Sequence, residues 1–379
     1  MPQDSDAVSV AGRPLWPALT YEPCPWERSG NEVASRRAKR QARGEYLASV
    51  PPFIAGAAVD LEPEVRALAD DASGELARFD ATIGIIAAPF TSILLRTESA
   101  SSSEIENLTS SAKQVALAEI GASQSENARL VFANVRAMSA ALDLADDLCV
   151  ASIVAMHDAL LAESAPDFVG SFRGEQVWIG GGGLSPHEAL FVPPHHERVP
   201  DLMRDLIEFA SRTDVPVLVH SAIVHAQFET IHPFPDGNGR TGRALIHSML
   251  RHGGITRNVT VPVSAGLLQD TSRYFGALTS YRSGDLNAIV EAVSEAALAA
   301  INNGSTLVAQ LQAAADLWKA EIRARRGSAP ARLQELLIRQ PVVTAKIVAT
   351  ELAVSEVAAQ TAIDRLVEAI RRVRQGLRV

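Results

Sequence analysis

Apolar residues recur at helical spacing along most of this chain of 379 residues, and this periodicity constrains the fold more than any other feature. Examples run from Val131 to Leu144, from Val199 to Phe209 and from Leu286 to Leu298. Alternating runs of β-branched residues are few, and aromatic residues make up only 5% of the chain. The pattern predicts a mainly α-helical protein.

One segment departs from the helical pattern. Residues 177–179 have the composition of a strand, residues 180–183 are all glycine, and residues 190–192 again resemble a strand before two prolines. Two short strands joined by a longer loop predict a β-hairpin. The glycines leave its backbone open to close approach.

The net charge of −9 is unevenly distributed. From Glu321 to Val379, 11 lysine and arginine residues stand against 6 acidic ones, so this part carries +5 and the rest of the chain −14. An acidic chain is not a nucleic-acid binder as a whole. The asymmetry predicts a separate C-terminal unit.

Neither a membrane span nor a leader is expected. No stretch approaches the roughly 18 uninterrupted apolar residues that a span requires, and Met1 to Arg13 lack the apolar core of a signal peptide. Cys24 and Cys149 lie far apart and have no metal-ligand spacing. We therefore expect a cytoplasmic protein with reduced cysteines and no membrane partner.

The segment at residues 231–243 has the composition of an anion-binding loop. Gly237, Gly239 and Gly242 permit positive φ and expose successive backbone N–H groups. A helical pattern resumes after them, so the N–H groups lie at a helix N-terminus, where the dipole favours negative charge. Arg240 and Arg243, three residues apart on one helix face, can bind phosphate oxygens.

Two further residue types in this segment supply chemistry. Asp236 provides the hard oxygen ligand that Mg²⁺ prefers when it shares the ion with substrate phosphates. His232 provides an imidazole, whose ordinary pKa of about 6.5 suits a general base. A base, a metal ligand, an anion site and two arginines so close together indicate nucleotide phosphate chemistry.

Residues 232–243 read His-Pro-Phe-Pro-Asp-Gly-Asn-Gly-Arg-Thr-Gly-Arg. They match the signature of the Fic family, HxFx(D/E)GNGRxxR, at each defined position, and residues 225–231 resemble the same family. The resemblance implies a nucleotidyltransferase that moves AMP from ATP onto a Ser, Thr or Tyr hydroxyl of a target protein, which includes the enzyme itself, and releases pyrophosphate.

The resemblance also implies roles for individual residues. His232 would deprotonate the target hydroxyl, and Asp236 would hold Mg²⁺ against the α- and β-phosphates. The family binds the phosphates with the residues that correspond here to Gly237, Asn238, Gly239, Arg240 and Arg243. Phe234 would anchor the loop in the core. Tyr274 and Tyr281, seven residues apart, are interpreted as core or rim residues that could also contact adenine.

The predicted hairpin, at about residues 176–194, resembles the flap of these enzymes, which holds the target segment by strand addition. A second resemblance concerns regulation. Ser102, Glu106 and Asn107 match the family's inhibitory pattern, (S/T)xxxE(G/N). It implies an inhibitory helix at about residues 100–112, in which Glu106 pairs with Arg243 and so removes the clamp on the γ-phosphate.

The last part of the chain resembles the winged helix-turn-helix that often follows Fic cores. Glu356 and Asp364 lie on or near its presumed recognition helix, where DNA phosphates would repel them. The basic residues cluster at Arg371, Arg372, Arg374 and Arg378. A DNA reader and an interaction or homodimer-stabilising module both remain open.

These observations predict a mainly α-helical protein in three parts: an N-terminal helical region at 1–95, a helical Fic core with its flap at 96–305, and a helix-turn-helix unit at 327–379. Three functions are considered. The first is AMP transfer restrained by Glu106, the second is hydrolytic removal of AMP with Glu106 orienting water, and the third is regulation through the C-terminal unit.

Overall fold

A computed structural model describes residues 16–26, 44–86, 90–181, 185–321 and 324–376. The described chain is mainly helical, which confirms the predicted fold class. Its strands are β1 (Thr20–Pro25) and β2 (Glu45–Val50). Its α-helices are α1 (Pro63–Ile86), α2 (Thr91–Ile105), α3 (Ala112–Glu119), α4 (Glu126–Asp143), α5 (Val150–Leu161), α6 (Val199–Ala210), α7 (Val217–Ile231), α8 (Asn238–His252), α9 (Val263–Leu267), α10 (Thr271–Arg282), α11 (Asn287–Glu321), α12 (Ala329–Arg339), α13 (Ala345–Leu352) and α14 (Glu356–Gly376).

The N-terminal region differs from its prediction as helical. Strands β1 and β2 form an antiparallel pair in which Tyr21 faces Ser49 and Cys24 faces Tyr46, and the first described helix begins only at Pro63. The prediction of helix for residues 1–95 is therefore wrong for these strands. Their alternation is short and interrupted by prolines, and the pairing joins segments that are distant in sequence, so periodicity did not reveal it.

The described residues group into two compact units. The first contains the residues up to Gly74 together with Arg136–Ile255 and Leu267–Ala296. The second contains Glu75–Val135, Thr256–Gly266 and the chain from Ala297 onward. Among the residues that the structure describes, no helix has both the length and the apolar character needed to cross a membrane.

Helix α7 is the central element of the first unit. Every residue from Leu218 to Ile231 is buried, and a helix that is covered on all sides belongs inside a core. Helix α8 packs closely against it at Gly242. A Cβ added to this glycine would lie 2.7 Å from Glu229 Oε1 and 3.0 Å from Phe228 Cδ1. The small residue thus allows the close contact that fixes the end of α7 beside α8.

In the second unit, two buried carboxylates hold the segment that contains α9. Asp80 of α1 accepts hydrogen bonds from the backbone N–H groups of Asn258 and Val259, at 2.8 and 2.9 Å. Glu98 of α2 accepts one from the N–H of Ser264 at 2.8 Å and another from its hydroxyl. Backbone donors that would otherwise be buried without a partner are satisfied in this way.

Helix α11 runs without interruption through residue 305, so the predicted end of the Fic core at this residue falls inside a helix. Gly304 does not break it. A Cβ at this position would lie 3.1 Å from Cζ of Phe79, and glycine therefore permits close packing of α11 against α1.

The C-terminal part consists of α12, α13 and α14, packed around a small core that includes Leu333, Val348 and Leu366. A tight turn joins α13 to α14, with Ala353 at φ 50°. Between residues 324 and 376 the structure describes only helices and turns. The predicted wing, and the side chains of Arg372, Arg374 and Arg378, lie outside the described part of the chain.

Candidate active site

His232 terminates the central helix in an unusual backbone conformation. Its φ and ψ are 50° and 62°, in the left-handed region, while its N–H still donates to the carbonyl of Phe228 at 2.8 Å. A non-glycine residue seldom adopts this conformation, and where it does, function is a common reason. The turn directs the chain away from α7 just where the imidazole begins the predicted loop.

The loop after His232 is closed by its own residues. The side chain of Asn238 accepts from the N–H of Phe234 at 2.9 Å and donates to the carbonyl of the same residue at 2.8 Å. Asn238 was predicted to cradle phosphate. Its side chain braces the loop, and its backbone N–H is left for an anion.

Phe234 is fully buried, in agreement with its predicted role as an anchor. Its ring stacks on His157 of α5, with centroids 3.7 Å apart and planes inclined by 4°. His157 Nε2 lies 3.0 Å from the carbonyl of Asp236, and burial lowers the pKa of this histidine. A neutral His157 therefore supports the loop by stacking on Phe234 and contacting the carbonyl of Asp236. Nothing in the local sequence pattern indicated it, because it comes from another helix.

Helix α8 begins directly after Gly237, whose φ is 77°. A Cβ at Gly237 would also lie 2.9 Å from Leu160 Cδ2, so both the backbone and the packing require glycine. The first-turn N–H groups, those of Asn238, Gly239 and Arg240, have no acceptor within a helix. Such N–H groups, together with the helix dipole, are suited to an anion.

Both predicted arginines are buried on α8. Arg240 is 4% exposed and Arg243 1% exposed, which makes Arg243 one of the largest fully buried side chains of the described protein. A buried guanidinium interacts strongly with an anion because solvent screens it little. Arg240 Nη2 lies 3.4 Å from Asp236 Oδ2, so the loop carboxylate and the first arginine are neighbours.

Asp236 itself faces solvent, with 62% of its side chain exposed. Among the described residues no group of three His, Cys, Asp or Glu could hold a metal by itself. One exposed carboxylate fits an ion that is held jointly with substrate phosphates, as Mg²⁺ commonly is. The residues present thus fit Mg²⁺ that enters with a nucleotide.

A carboxylate missing from the sequence prediction lies beside the candidate base. Glu229, one turn earlier on α7, places Oε2 3.9 Å from His232 Nδ1, and its side chain is only 8% exposed. The sequence shows that Glu229 and His232 are three residues apart. Pairs with this spacing are common in helices, however, so the spacing did not single out Glu229.

Arg173 joins the loop to the base of the predicted flap. Its guanidinium donates to the carbonyls of His232, Pro194 and Glu175 at 2.8, 2.6 and 3.0 Å, and its own N–H donates to Pro233. The residue is 4% exposed, and burial lowers its pKa to about 10. One side chain therefore positions the candidate base and both ends of the flap.

Arg173→Lys is expected to lower the free energy of unfolding by about 1–3 kcal/mol, because one ammonium group cannot span these carbonyls and leaves buried acceptors unpaired. Urea unfolding measures the change. Arg204→Lys, on the exposed face of α6, is the matched control and should shift stability by no more than about 0.5 kcal/mol. Equal effects of the two substitutions would contradict the role given to Arg173.

The flap is smaller than the two strands predicted at about residues 176–194. It consists of a single antiparallel bridge between Ile179 and Phe191. Gly180 and Gly181 have φ of 73° and 82°, and a Cβ at Gly181 would lie 2.4 Å from the carbonyl oxygen of Glu188. These turns end the strand early. Residues 182–184 lie outside the described chain.

Two contacts support the flap from behind. The N–H of Ser49 on β2 donates to the carbonyl of Val192 at 3.0 Å, so the N-terminal strand pair extends the flap backbone. The guanidinium of Arg282 lies 3.6 Å from the ring centroid of Phe191, a cation–π contact. The flap is thus held by elements before and after it in sequence.

Behind the anion site, His225 of α7 contacts Tyr274 of α10, with Nε2 and Oη 2.9 Å apart. Tyr274 is 2% exposed and so belongs to the core, as does Tyr281, whose hydroxyl donates to Gln227. Burial, and secondly the charge of Arg243, lower the pKa of His225 to about 3. His225 is therefore neutral near pH 7.

In the unfolded chain His225 has its ordinary pKa of about 6.5, whereas in the folded protein its pKa is about 3. Between these two pH values the unfolded chain binds a proton that the folded protein does not, so lowering the pH favours unfolding. The loss is about 1.4 kcal/mol per pH unit for one group. We expect His225→Gln to lose stability less steeply than wild type between about pH 6.5 and pH 4, measured by urea unfolding. Parallel profiles would contradict this assignment.

The two residues of the predicted inhibitory pattern lie in the second unit, at the end of α2. Ser102 is buried, whereas Glu106 is the exposed C-cap residue. Asn107 follows with φ 61°. Its N–H donates to Glu104, and the N–H of Leu108 donates to Ser103, which together form a Schellman motif. The left-handed residue explains why the pattern takes Gly or Asn after the glutamate.

Comparison with known families covers the same regions. The family model described as Fic/DOC family matches residues 147–250, which include the flap and the loop from His232 to Arg243. The model described as Fic/DOC family N-terminal matches residues 66–143, which include Ser102 and Glu106. Residues 66–143 and 147–250 of the chain are thus similar to the Fic/DOC family. The strand pair β1–β2 precedes both matches.

Several curated proteins are similar to this chain over the same region. Protein adenylyltransferase fic-1 of Caenorhabditis elegans is 28% identical over 159 residues, 41% of this chain and 28% of the relative. A probable protein adenylyltransferase of Aquifex aeolicus is 36% identical over 107 residues, 28% of this chain and 31% of the relative. The chain thus spans less than a third of the length of these relatives.

Solved structures agree on the fold. A Fic family protein from Desulfovibrio desulfuricans superposes with a TM-score of 0.56 at 22% identity, over 82% of this chain and 90% of that one. A fragment of Fic-1 from C. elegans gives a TM-score of 0.50 at 20% identity, over 65% and 73%. At these identities the likeness concerns the fold alone.

Proposed function

We propose that this chain transfers AMP from ATP to a hydroxyl group of a protein. One observation carries the proposal: a single loop brings three features together. His232 lies at the end of α7 in a left-handed conformation, the N-terminus of α8 follows it, and Arg240 and Arg243 are buried on α8. The names of the Fic relatives, which are protein adenylyltransferases, support the same reaction.

In the proposed reaction, the target hydroxyl oxygen attacks the α-phosphorus of ATP. A new oxygen–phosphorus bond forms, the bond between the α-phosphorus and the bridging oxygen breaks, and pyrophosphate leaves. His232 Nε2 takes the hydroxyl proton, while the nearby Glu229 carboxylate stabilises the imidazolium that results. Positioning and electrostatic stabilisation supply most of the rate.

The triphosphate would bind along the start of α8. The N–H groups of Asn238, Gly239 and Arg240 would face phosphate oxygens, as helix N-termini do, and Arg243 would hold the γ-phosphate. Gly237, with φ 77°, supplies the turn that starts α8. Asp236 would hold Mg²⁺, which neutralises phosphate charge when bound.

We further propose that Glu106 restrains the reaction, as the family pattern implies, by pairing with Arg243 and displacing the γ-phosphate. Its place at a helix end closed by a Schellman motif supports this, because the cap fixes the backbone that carries the carboxylate. An exposed carboxylate could also orient water for removal of AMP, so the assay below measures both directions.

The test uses ATP labelled in the α- or in the γ-phosphate, with Mg²⁺ and cell lysate or with the protein alone. Label is expected on protein from α-labelled ATP only, and more strongly with Glu106→Gly than with wild type. Transfer of the γ-label, or of no label in any sample, would overturn the proposal. Release of AMP from the labelled target by wild type would indicate the hydrolytic reaction.

A further inference from the structure

A cavity of about 510 Å³ in the second unit has no part in the proposed reaction. Helices α2, α3, α11 and α12 line it, and its walls are mostly alanine, leucine, isoleucine and valine with one aromatic ring, that of Trp318. Its volume lies in the range of about 300–1,000 Å³ that is typical of small-molecule sites.

The polar groups at the cavity differ in what they can offer a ligand. Arg96 is already bound: its guanidinium makes a two-pronged ion pair with Glu119, at 3.0 and 2.8 Å, and donates to the carbonyl of Arg339 at 2.7 Å. Its positive charge is therefore compensated by Glu119. A ligand anion would gain little from Arg96.

Glu104 provides the opposite charge at the mouth of the cavity. It is exposed, lies on α2 one turn after Ala100, and lines the same cavity. No ion pair of its carboxylate occurs among the described side chains. The Glu104 carboxylate is therefore available to a cationic group of a ligand, and a charge of opposite sign is favoured beside it.

From this geometry we propose that the cavity binds a small amphiphilic amine, with an apolar ring beside Trp318 and its ammonium group near Glu104. The ring would bury apolar surface against Ala314 and Leu337. The amine would remain partly solvated at the mouth, so it contributes selectivity more than affinity.

Calorimetric titration of the full chain with three ring-matched probes tests the charge preference. Tryptamine is expected to bind most tightly, neutral indole next and indole-3-acetate least, with about a fivefold difference between the extremes for one exposed carboxylate. Glu104→Gln should remove the advantage of tryptamine over indole. Tighter binding of indole-3-acetate, or no binding of any probe, would overturn the proposal.

A matched pair of variants tests the location. Ala313 and Ala314 are neighbouring exposed residues of α11, and only Ala314 lines the cavity. Ala314→Phe is expected to weaken tryptamine binding at least about tenfold by filling the space, whereas Ala313→Phe should bind as wild type does. Equal binding by the two variants would place the ligand elsewhere.

The cavity also contacts α2 along one face, at Ile93, Thr97 and Ala100, and α2 ends at Glu106. Tryptamine is therefore expected to slow hydrogen exchange of α2 amides, a readout that needs no catalysis. A second expectation rests on the proposed function: tryptamine should lower the rate of AMP transfer by wild type and leave the rate of Glu106→Gly unchanged. Probe binding without any AMP transfer would refute the proposed function and leave this site standing.

Discussion

His232→Ala is expected to lower the rate of AMP transfer by about 10²- to 10⁴-fold, the usual contribution of a positioned general base. The left-handed backbone and the short distance to Glu229 place this imidazole at the end of α7, and no other described histidine shares that position. The measurement is single-turnover transfer from α-labelled ATP, made in the Glu106→Gly background so that the starting rate is high.

The same variant should still bind nucleotide, because the phosphate contacts proposed here come from α8. An unchanged Kd for ATP, measured by calorimetry, would separate loss of the base from loss of the fold. His252→Ala, an exposed substitution at the far end of α8, is the control and should retain the full rate. A His232→Ala protein that transfers AMP normally would contradict the assignment of the base.

Glu106→Gly is expected to raise AMP transfer by about 5- to 150-fold, the usual range of coupling between a regulatory contact and a ligand site. The physical reason is the release of Arg243 to bind the γ-phosphate. The rate of labelling from α-labelled ATP measures the gain, and Glu106→Gln, which removes only the charge, should move it in the same direction.

Asp143→Gly controls for helix loosening, because Asp143 is likewise an exposed acid at the end of a helix, α4. It should leave the rate of transfer unchanged. An equal gain from both glycine substitutions would show that backbone freedom, and not the Glu106 carboxylate, sets the rate. No gain from Glu106→Gly with a competent target would contradict the proposed inhibition.

The loop from His232 to Arg243 could be predicted in detail because its chemistry is local. The glycine before α8 and the N–H groups of the first turn lie within a few residues of one another, and the conformation of Gly237 follows from its residue type. The predicted inhibitory helix at about residues 100–112 is wrong in its extent, because α2 ends at Ile105 and the left-handed Asn107 follows its cap. Mainly helical structure was readable from apolar periodicity.

Elements that depend on distant partners were not predicted. Strand β1 pairs with β2 across residues 27–43, and Arg173 and His157 support the loop from other segments. The hydrogen bonds by which the Asn238 side chain closes the loop were likewise not predicted. The partner of a side chain depends on which distant segments pack beside it. One local sequence pattern is compatible with many such arrangements.

Sequence by itself therefore determined the fold class and the family signature from His232 to Arg243, since each depends on neighbouring residues. The tertiary structure decided which side chains brace that loop, how far the flap extends, and that α11 continues past Gly304. These outcomes depend on burial and on hydrogen bonds between distant segments. Such contacts stabilise the protein only when the whole chain is folded.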